Sequence, residues 1–311
     1  MPSIRVAQLR AATHDDDVTS IANAGIRPLS TIGIKVRASV IRAIRNGGDI
    51  GRAIRTAIAP MRVPLTQSMT ASWVMGQYRS RQVAQVDAPL LLARKVTDPL
   101  GIWRNIVGFA EDRLAINRNE LVTVGKRFEA SATQAMKSMG GMLEDKIRAA
   151  IAETVSKGEH VEGTIAAVRK AFDDAGMSNV KPFLIETQAR TQTQLAYSAG
   201  RLKANEAPEI QDILWGYEYV TVGDDRVRPG HAALDGLRLP KDDPRWNEIM
   251  PPNGWNCRCS VIEVFNEEDI ATTIDVPEFV EVDGEVVRAG ADDGFDFNPL
   301  DIYNGQEAVL R

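Results

Sequence analysis

The sequence predicts an α+β protein whose N-terminal two thirds is mainly α-helical, followed by a small mixed α+β module and an extended tail. Three observations carry that prediction. Apolar residues recur at three- and four-residue steps from Asp98 to about Lys157, with few turn signals between them, as long helices require. After Pro208 the period changes: Ile213 to Val222 alternates apolar with other residues and is rich in Trp, Tyr and Val, which suits a strand. Near the end, VPEFVEVDGEVVRA sets two alternating runs around Asp283-Gly284, the signature of a hairpin with a type I′ turn. The predicted divisions are a basic region of short helices at 1–97, a long-helix region at 98–207, the α+β module at 208–290 and a docking tail at 291–311.

The first region reads as short helices broken by Gly and Pro. Thr31 to Arg45 is one, interrupted by the Asn-Gly-Gly-Asp run at 46–49, and Ile50 to Ala59 is the next, stopped by Pro60. If the two ran nearly coaxially, Arg42, Arg45, Arg52 and Arg55 would share one side. Such a stripe is a candidate contact for phosphate or carboxylate groups; the alternative is a solvated helix face. Aromatic residues are few around it, which argues against sequence-specific reading of nucleic acid. Pro64 to Val86 follows as a helix carrying Trp73 and Tyr78.

In the second region Asp98 and Pro99 form an N-cap and N1 pair. The apolar ladder then includes Ile102, Ile106, Phe109, Leu114, Leu121, Phe128, Met136, Met139, Met142, Ile147 and Ile151. Gly140-Gly141 predicts a kink or a break into two helices. The methionines read as adaptable core filler. Glu159 to Ala175 forms a further helix, with Gly176 in the C′ position. Pro182 opens the next, which runs to about Glu206. Its register is unusually polar: Glu186, Arg190 and Gln194 fall at i, i+4 and i+8 and are expected to hydrogen-bond along one face. Buried against a sheet, that row would specify packing; exposed, it would be simple helix decoration.

Beyond Pro208, GDDR at 223–226 supplies a turn, RPGHAALDG one helical turn and LRLP a short strand. Arg258 to Phe265 is a second strand, fed directly by the Cys-x-Cys segment. The tail is too short and acidic to bury a core of its own, so Phe295, Phe297 and Leu300 are expected to dock onto another surface.

The net charge of −5 conceals a polarity. Residues 1–100 carry 14 Lys/Arg against 6 Asp/Glu, whereas residues 201–311 carry 10 against 24. Such asymmetry suggests different partners for the two ends. No apolar run is long enough for a membrane span, and the N-terminus has no apolar signal region. The two cysteines are one residue apart, a poor separation for a disulfide, which suggests a reducing compartment.

Both cysteines, Cys257 and Cys259, lie with His231 in Gly/Pro-rich sequence between Trp215 and Cys259. Zinc takes four ligands and favours thiolate and imidazole. His231, Cys257 and Cys259 would supply three, and Asp225, or Asp224 beside it, is the candidate fourth. The alternative places both thiols in a small core while His231 bonds a carboxylate. Asp225, Arg226, Arg228, Asp235 and Arg258 are expected to form ion pairs that lock irregular loops, because the planar guanidinium fork bonds two carbonyls or one carboxylate at once. Trp215, Trp246 and Trp255 would cover the small core. This architectural brace is the preferred reading, with no cofactor required. No nucleophile, oxyanion donor or phosphate loop stands at recognisable spacing, so no catalytic residues are assigned.

The segment from about Glu186 to Val264 resembles the Mu F-like family of phage head morphogenesis proteins. The resemblance rests on the polar helix IETQARTQTQLAYSAGR, the strand ILWGYEYVTVGDDRVRPGH, then ALDG, and finally PPNGWNCRC, in that order. The tail GFDFNP also resembles a terminal segment of many members. The resemblance implies a non-enzymatic minor capsid or neck protein of a tailed bacteriophage virion, present in several copies. It would be assembled in the host bacterial cytoplasm, contact the portal protein and other head or neck proteins, and assist head morphogenesis and DNA packaging, retention or delivery. Non-specific contact with packaged double-stranded DNA would suit the basic end. Two rivals stay open. One is a head-packaged metal-dependent hydrolase or effector with Asp225 or His231 as general base. The other is a DNA-binding module that uses the Arg42–Arg55 face.

Overall fold

A computed structural model describes residues 2–29, 31–85, 108, 110–111, 114–157, 161–177, 183–271, 273–282 and 284–304. The α+β prediction holds: long helices fill the N-terminal part and short strands the C-terminal part. The helices are α1 (Pro2–Ile26), α2 (Ile32–Arg45), α3 (Ile50–Ile58), α4 (Arg62–Gln85), α5 (Arg118–Ser156), α6 (Val161–Asp174) and α7 (Phe183–Asn205). A single turn α8 (Pro208–Gln211) leads into β1 (Gly216–Val220), α9 (Pro229–Ala232), β2 (Arg238–Pro240), α10 (Trp246–Ile249) and β3 (Ser260–Val264). The chain continues through α11 (Glu267–Ile270), the hairpin β4 (Phe279–Val282) and β5 (Glu285–Arg288), and α12 (Pro299–Tyr303). Among the described residues, no helix is long and apolar enough to cross a membrane.

Local chemistry explains the helix starts. Asp49 caps α3 by accepting from the Arg52 N–H at 2.8 Å, and Asn117 caps α5 by accepting from the Glu120 N–H at 3.0 Å. The expected Asp98-Pro99 start, with Ile102, Ile106 and Phe109, lies outside the described residues, as do Asp283 of the hairpin turn and Pro182. Gly176 ends α6 with φ +71°, as a C′ glycine should.

Three expectations for the helical part are corrected. Residues 1–97 are not only short helices, since α1 has 25 residues and α4 has 24. Helix α5 runs 39 residues without a break at Gly140-Gly141. Gly140 is there for closeness: a Cβ would sit 3.0 Å from Ile58 Cδ1 on α3. Finally, α2 and α3 are not coaxial. Gly47 turns the chain at φ +63°, and the two helices pack on each other around Val36, Val40, Ile54 and Ile58. Arg42, Arg45, Arg52 and Arg55 therefore form no continuous stripe. Arg45 pairs with Glu162 at 3.5 Å and Arg55 with Glu144 at 3.6 Å.

Two apolar cores run through the helices. One joins α2, α3, the second half of α5, α6 and the start of α7, and takes in Met136 and Met139, whereas Met142 is exposed. The other joins α1, α4, the first half of α5, α7 and Tyr303 of α12. Its centre is the crossing of α4 and α7. Adding a Cβ at Gly76 would place it 2.2 Å from the Tyr197 carbonyl oxygen, and at Gly200 it would lie 2.1 Å from that of Trp73. The two glycines thus face each other's helix backbone and set the approach.

The strands form an antiparallel sheet of order β2-β1-β3. Tyr217, Tyr219 and Val261 face the module core, with Leu239, Trp246 and both cysteines. Val220 and Ile262 meet Ala11 of α1 on the other side. Trp215 does not cover the core as expected; it is 47% exposed. The tail docks on this same chain. Phe295 is buried and edge-on to Trp255, Phe297 and Leu300 pack on the helical core, and Tyr303 stacks on Trp73.

The glycine crossing gives a direct test. Gly76→Ala or Gly200→Ala should destabilise the chain by about 3 kcal/mol, because backbone must move to admit the methyl group. Gly141→Ala, where nothing lies within 4 Å, should instead stabilise by about 0.5–1 kcal/mol as a mid-helix replacement. Urea unfolding of the three variants measures both signs.

Candidate functional site

The site is built where α7 meets the free edge of β3. Strand β3 pairs with β1 on one side only, so the outward carbonyls of Cys259 and Val261 need donors. Helix α7 supplies them. Gln194 Nε2 donates to the Cys259 carbonyl at 3.1 Å, and Arg201 donates to that of Val261. The spacing of seven keeps the two donors on one helix face. This is why a helix so polar in sequence has 17 of its 23 residues buried.

Arg201 does more than cap the edge. It pairs with Glu263, both side chains being at most 3% exposed, and it bonds Ser260 Oγ at 3.1 Å. Glu263 Oε1 accepts from Ser80 at 3.1 Å and from Asn205 at 3.2 Å. His14 joins from α1, with Nδ1 2.8 Å from Ser260 Oγ. Four elements therefore meet on one buried ion pair. Of the expected row on α7, only Gln194 reaches the sheet edge. Arg190 turns to Asp15 and Thr19 of α1 rather than along its own helix. Thr187 and Thr191 accept from the Asn256 side chain and backbone at 2.9 and 3.1 Å, so α7 also holds the loop that precedes Cys257.

The Cys-x-Cys segment enters β3 from that loop, and His231 projects from the α9 turn. The two Sγ atoms each lie 3.9 Å from His231 Nδ1. His231 Nε2 lies 3.3 Å from Asp292 Oδ1, in the loop after the hairpin. Glycines make both approaches: a Cβ at Gly230 would press on the Arg288 carbonyl at 2.5 Å, and one at Gly254 would overlap the Asp292 carboxylate at 2.1 Å. His231, Cys257 and Cys259 are buried. Burial works against a charged His231, but the Asp292 carboxylate and Cys257 outweigh it and raise its pKa to about 9. The hydrogen bond with Cys259 and the nearby imidazole hold the Cys257 thiol well below the usual range, while Cys257 and burial push Cys259 up. The arrangement sets two thiols beside one imidazole ring, with the Asp292 carboxylate near its far nitrogen.

The expected site residues divide. His231, Cys257 and Cys259 come together. Asp225 does not join them; it is exposed on the 223–226 turn, and the carboxylate that reaches His231 is Asp292. The neighbouring charged residues make the following contacts. Arg258 and Arg226 both grip Asp224, holding its carboxyl well below the usual range. Arg228 donates to the Trp255 carbonyl at 2.7 Å and lies 3.4 Å from Asp292. Asp235 accepts from the Thr221 N–H at 2.6 Å. Sequence reasoning missed Asp292, Arg201 and Glu263. Gly254 was the one available signal, a glycine beside the cysteines that a close neighbour required.

Residues 145–262 match the family described as Phage Mu protein F like protein. The Mu F-like segment begins inside α5, contains α6, α7 and the first two strands, and ends within β3, so it starts well before the 186–264 stretch that carries the motifs. It includes Gln194, Arg201, His231 and both cysteines. Over 80 residues the chain is 40% identical to the putative capsid assembly protein F of Escherichia phage Mu, covering 26% of this chain and 18% of that protein. Over 94 residues it is 37% identical to the Mu-like prophage FluMu F protein of Haemophilus influenzae, covering 30% and 22% respectively. An uncharacterized Methanocaldococcus jannaschii protein is 30% identical over 117 residues, covering 37% and 16%. The chain thus spans about a fifth of the length of the curated relatives it matches. No solved structure matches.

The buried ion pair carries the prediction of this site. Arg201→Met should cost about 3–5 kcal/mol, since it strands Glu263 in the interior. Adding Glu263→Leu should recover most of that loss. Equilibrium unfolding of the single and double variants gives the comparison.

Proposed function

We propose that the protein is a non-enzymatic component of a tailed-bacteriophage head. In this reading it is a minor capsid or neck protein that contacts the portal protein and its head neighbours and assists head morphogenesis and DNA packaging, retention or delivery. The supporting observation is the Mu F-like segment at 145–262, together with one relative named a putative capsid assembly protein. The geometry is consistent with an architectural role. The Arg/Asp set is spent on loop contacts, and the thiol–imidazole cluster is buried beneath them. The charge polarity supports two different contact surfaces, with the acidic C-terminal portion toward protein partners. The arginines of α2 and α3 lend less to a nucleic-acid reading, because Arg45 and Arg55 already face carboxylates of this chain.

Particle composition tests the reading. Gradient-purified heads of the phage that encodes this chain should contain it in a fixed ratio to the portal protein, by quantitative mass spectrometry. Deleting its gene should yield heads that assemble poorly or lose DNA. Heads that lack the polypeptide, with an unaltered particle yield in the deletion, would contradict it.

A further inference from the structure

We propose that His231, Cys257 and Cys259 hold a zinc ion that ties the α9 turn to the lead-in of β3. The inference concerns the folded chain itself and stands whether or not the protein is a head component. It begins with one ring nitrogen facing two sulfurs. His231 Nδ1 is 3.9 Å from each Sγ, and the three ligand atoms lie within 4.8 Å of one another. A single imidazole nitrogen has one lone pair or one proton and can serve only one sulfur well. A cation between the three atoms serves both. Tetrahedral zinc, with bonds of about 2.3 Å to sulfur and about 2.0 Å to nitrogen, sets the N–S separation near ~3.5 Å. Each N–S separation needs to contract by only a few tenths of an ångström.

The surroundings fit the same ion. Soft thiolates with an imidazole select zinc over hard cations such as magnesium or calcium. His231 Nε2 is 2% exposed with its residue and faces Asp292 Oδ1 at 3.3 Å. A carboxylate at that distance can orient the ring with its opposite nitrogen toward the sulfurs, as outer carboxylates do in zinc sites. The Cys259 N–H points at Cys257 Sγ at 3.4 Å, which favours a thiolate there. Among the described residues no fourth His, Cys, Asp or Glu joins the group. A solvent oxygen would complete the four. Zinc here would join three segments that share few regular hydrogen bonds: the α9 turn, the Cys-x-Cys lead-in and the loop of Asp292. A metal clip of this kind stabilises a small core that apolar burial alone supports poorly.

The experiment uses the full chain, purified under reducing conditions without chelator. Elemental analysis should find about one zinc per chain. Cobalt titration of the stripped protein should give tetrahedral visible bands and a near-ultraviolet thiolate-to-cobalt absorption whose intensity corresponds to two sulfurs. Asp292→Asn should weaken zinc affinity by about 10- to 100-fold while keeping that two-sulfur spectrum. Chelation should lower the melting temperature of the native chain and leave Cys257→Ser/Cys259→Ser unmoved. The native-chain titration decides the matter even if the double variant fails to fold. Cobalt spectra without sulfur absorption would overturn the proposal. So would a folded native chain whose thiols react equally with and without excess zinc, or equal metal content in the double serine variant.

Discussion

An edge strand with nothing beside it has to be closed, and in this protein a polar helix closes it. Strand β3 presents the carbonyls of Cys259 and Val261 away from β1, and α7 meets them with Gln194 and Arg201. Water is excluded there, so each bond is worth more than it would be at a surface, and losing one leaves a bare carbonyl in the interior. The consequence spreads outward. To bring Arg201 to the strand, α7 must lie deep, and to lie deep it must cross α4 backbone to backbone at Gly76 and Gly200. The helical body and the small sheet are therefore joined by chemistry as well as by chain connectivity. Compositional divisions at 97/98 and 207/208 describe changes of pattern. The cores nevertheless run from α1 to α12.

Around that junction the loops are held by charge and by thiol–imidazole contact. Asp224 anchors Arg258 from one side and Arg226 from the other. Asp292 meets both Arg228 and His231, so the loop after the hairpin is locked to the helical turn before it. The sheet has three short strands, and its loops need such ties because few ladder bonds reach them. A module built this way keeps its shape without a large core. That suits a part that must present fixed surfaces to neighbours in an assembly.

Much of this was legible in sequence, and the reason differs by element. The strand Ile213–Val222, the hairpin and the α9 turn announced themselves through alternation and turn residues, which are local signals. His231, Cys257 and Cys259 were recognisable as residue types and do converge. Asp225 lies within the Arg-rich motif in sequence, whereas Asp292 is the carboxylate that reaches the imidazole, delivered by a hairpin whose placement no local pattern encodes. Gly140-Gly141 read as a break because glycine usually weakens a helix; packing against Ile58 overrode that propensity. The same ambiguity hid Gly76 and Gly200. The polar face of α7 was visible, but its target was not, because an edge carbonyl leaves no trace in a one-dimensional pattern. Likewise the arginines at 42, 45, 52 and 55 would share one side only if α2 and α3 were coaxial, and Gly47 at φ +63° turns the chain between them.

Native-state hydrogen exchange on the full chain tests most directly whether α7 and β3 form one cooperative structure. If the polar edge closure governs the fold, amides of α7, of α4 around Gly76 and of β1 and β3 should open together with a single free energy equal to that of global unfolding. Exchange of the strand amides through a separate, lower-energy opening, with α4 and α7 still protected, would contradict the account.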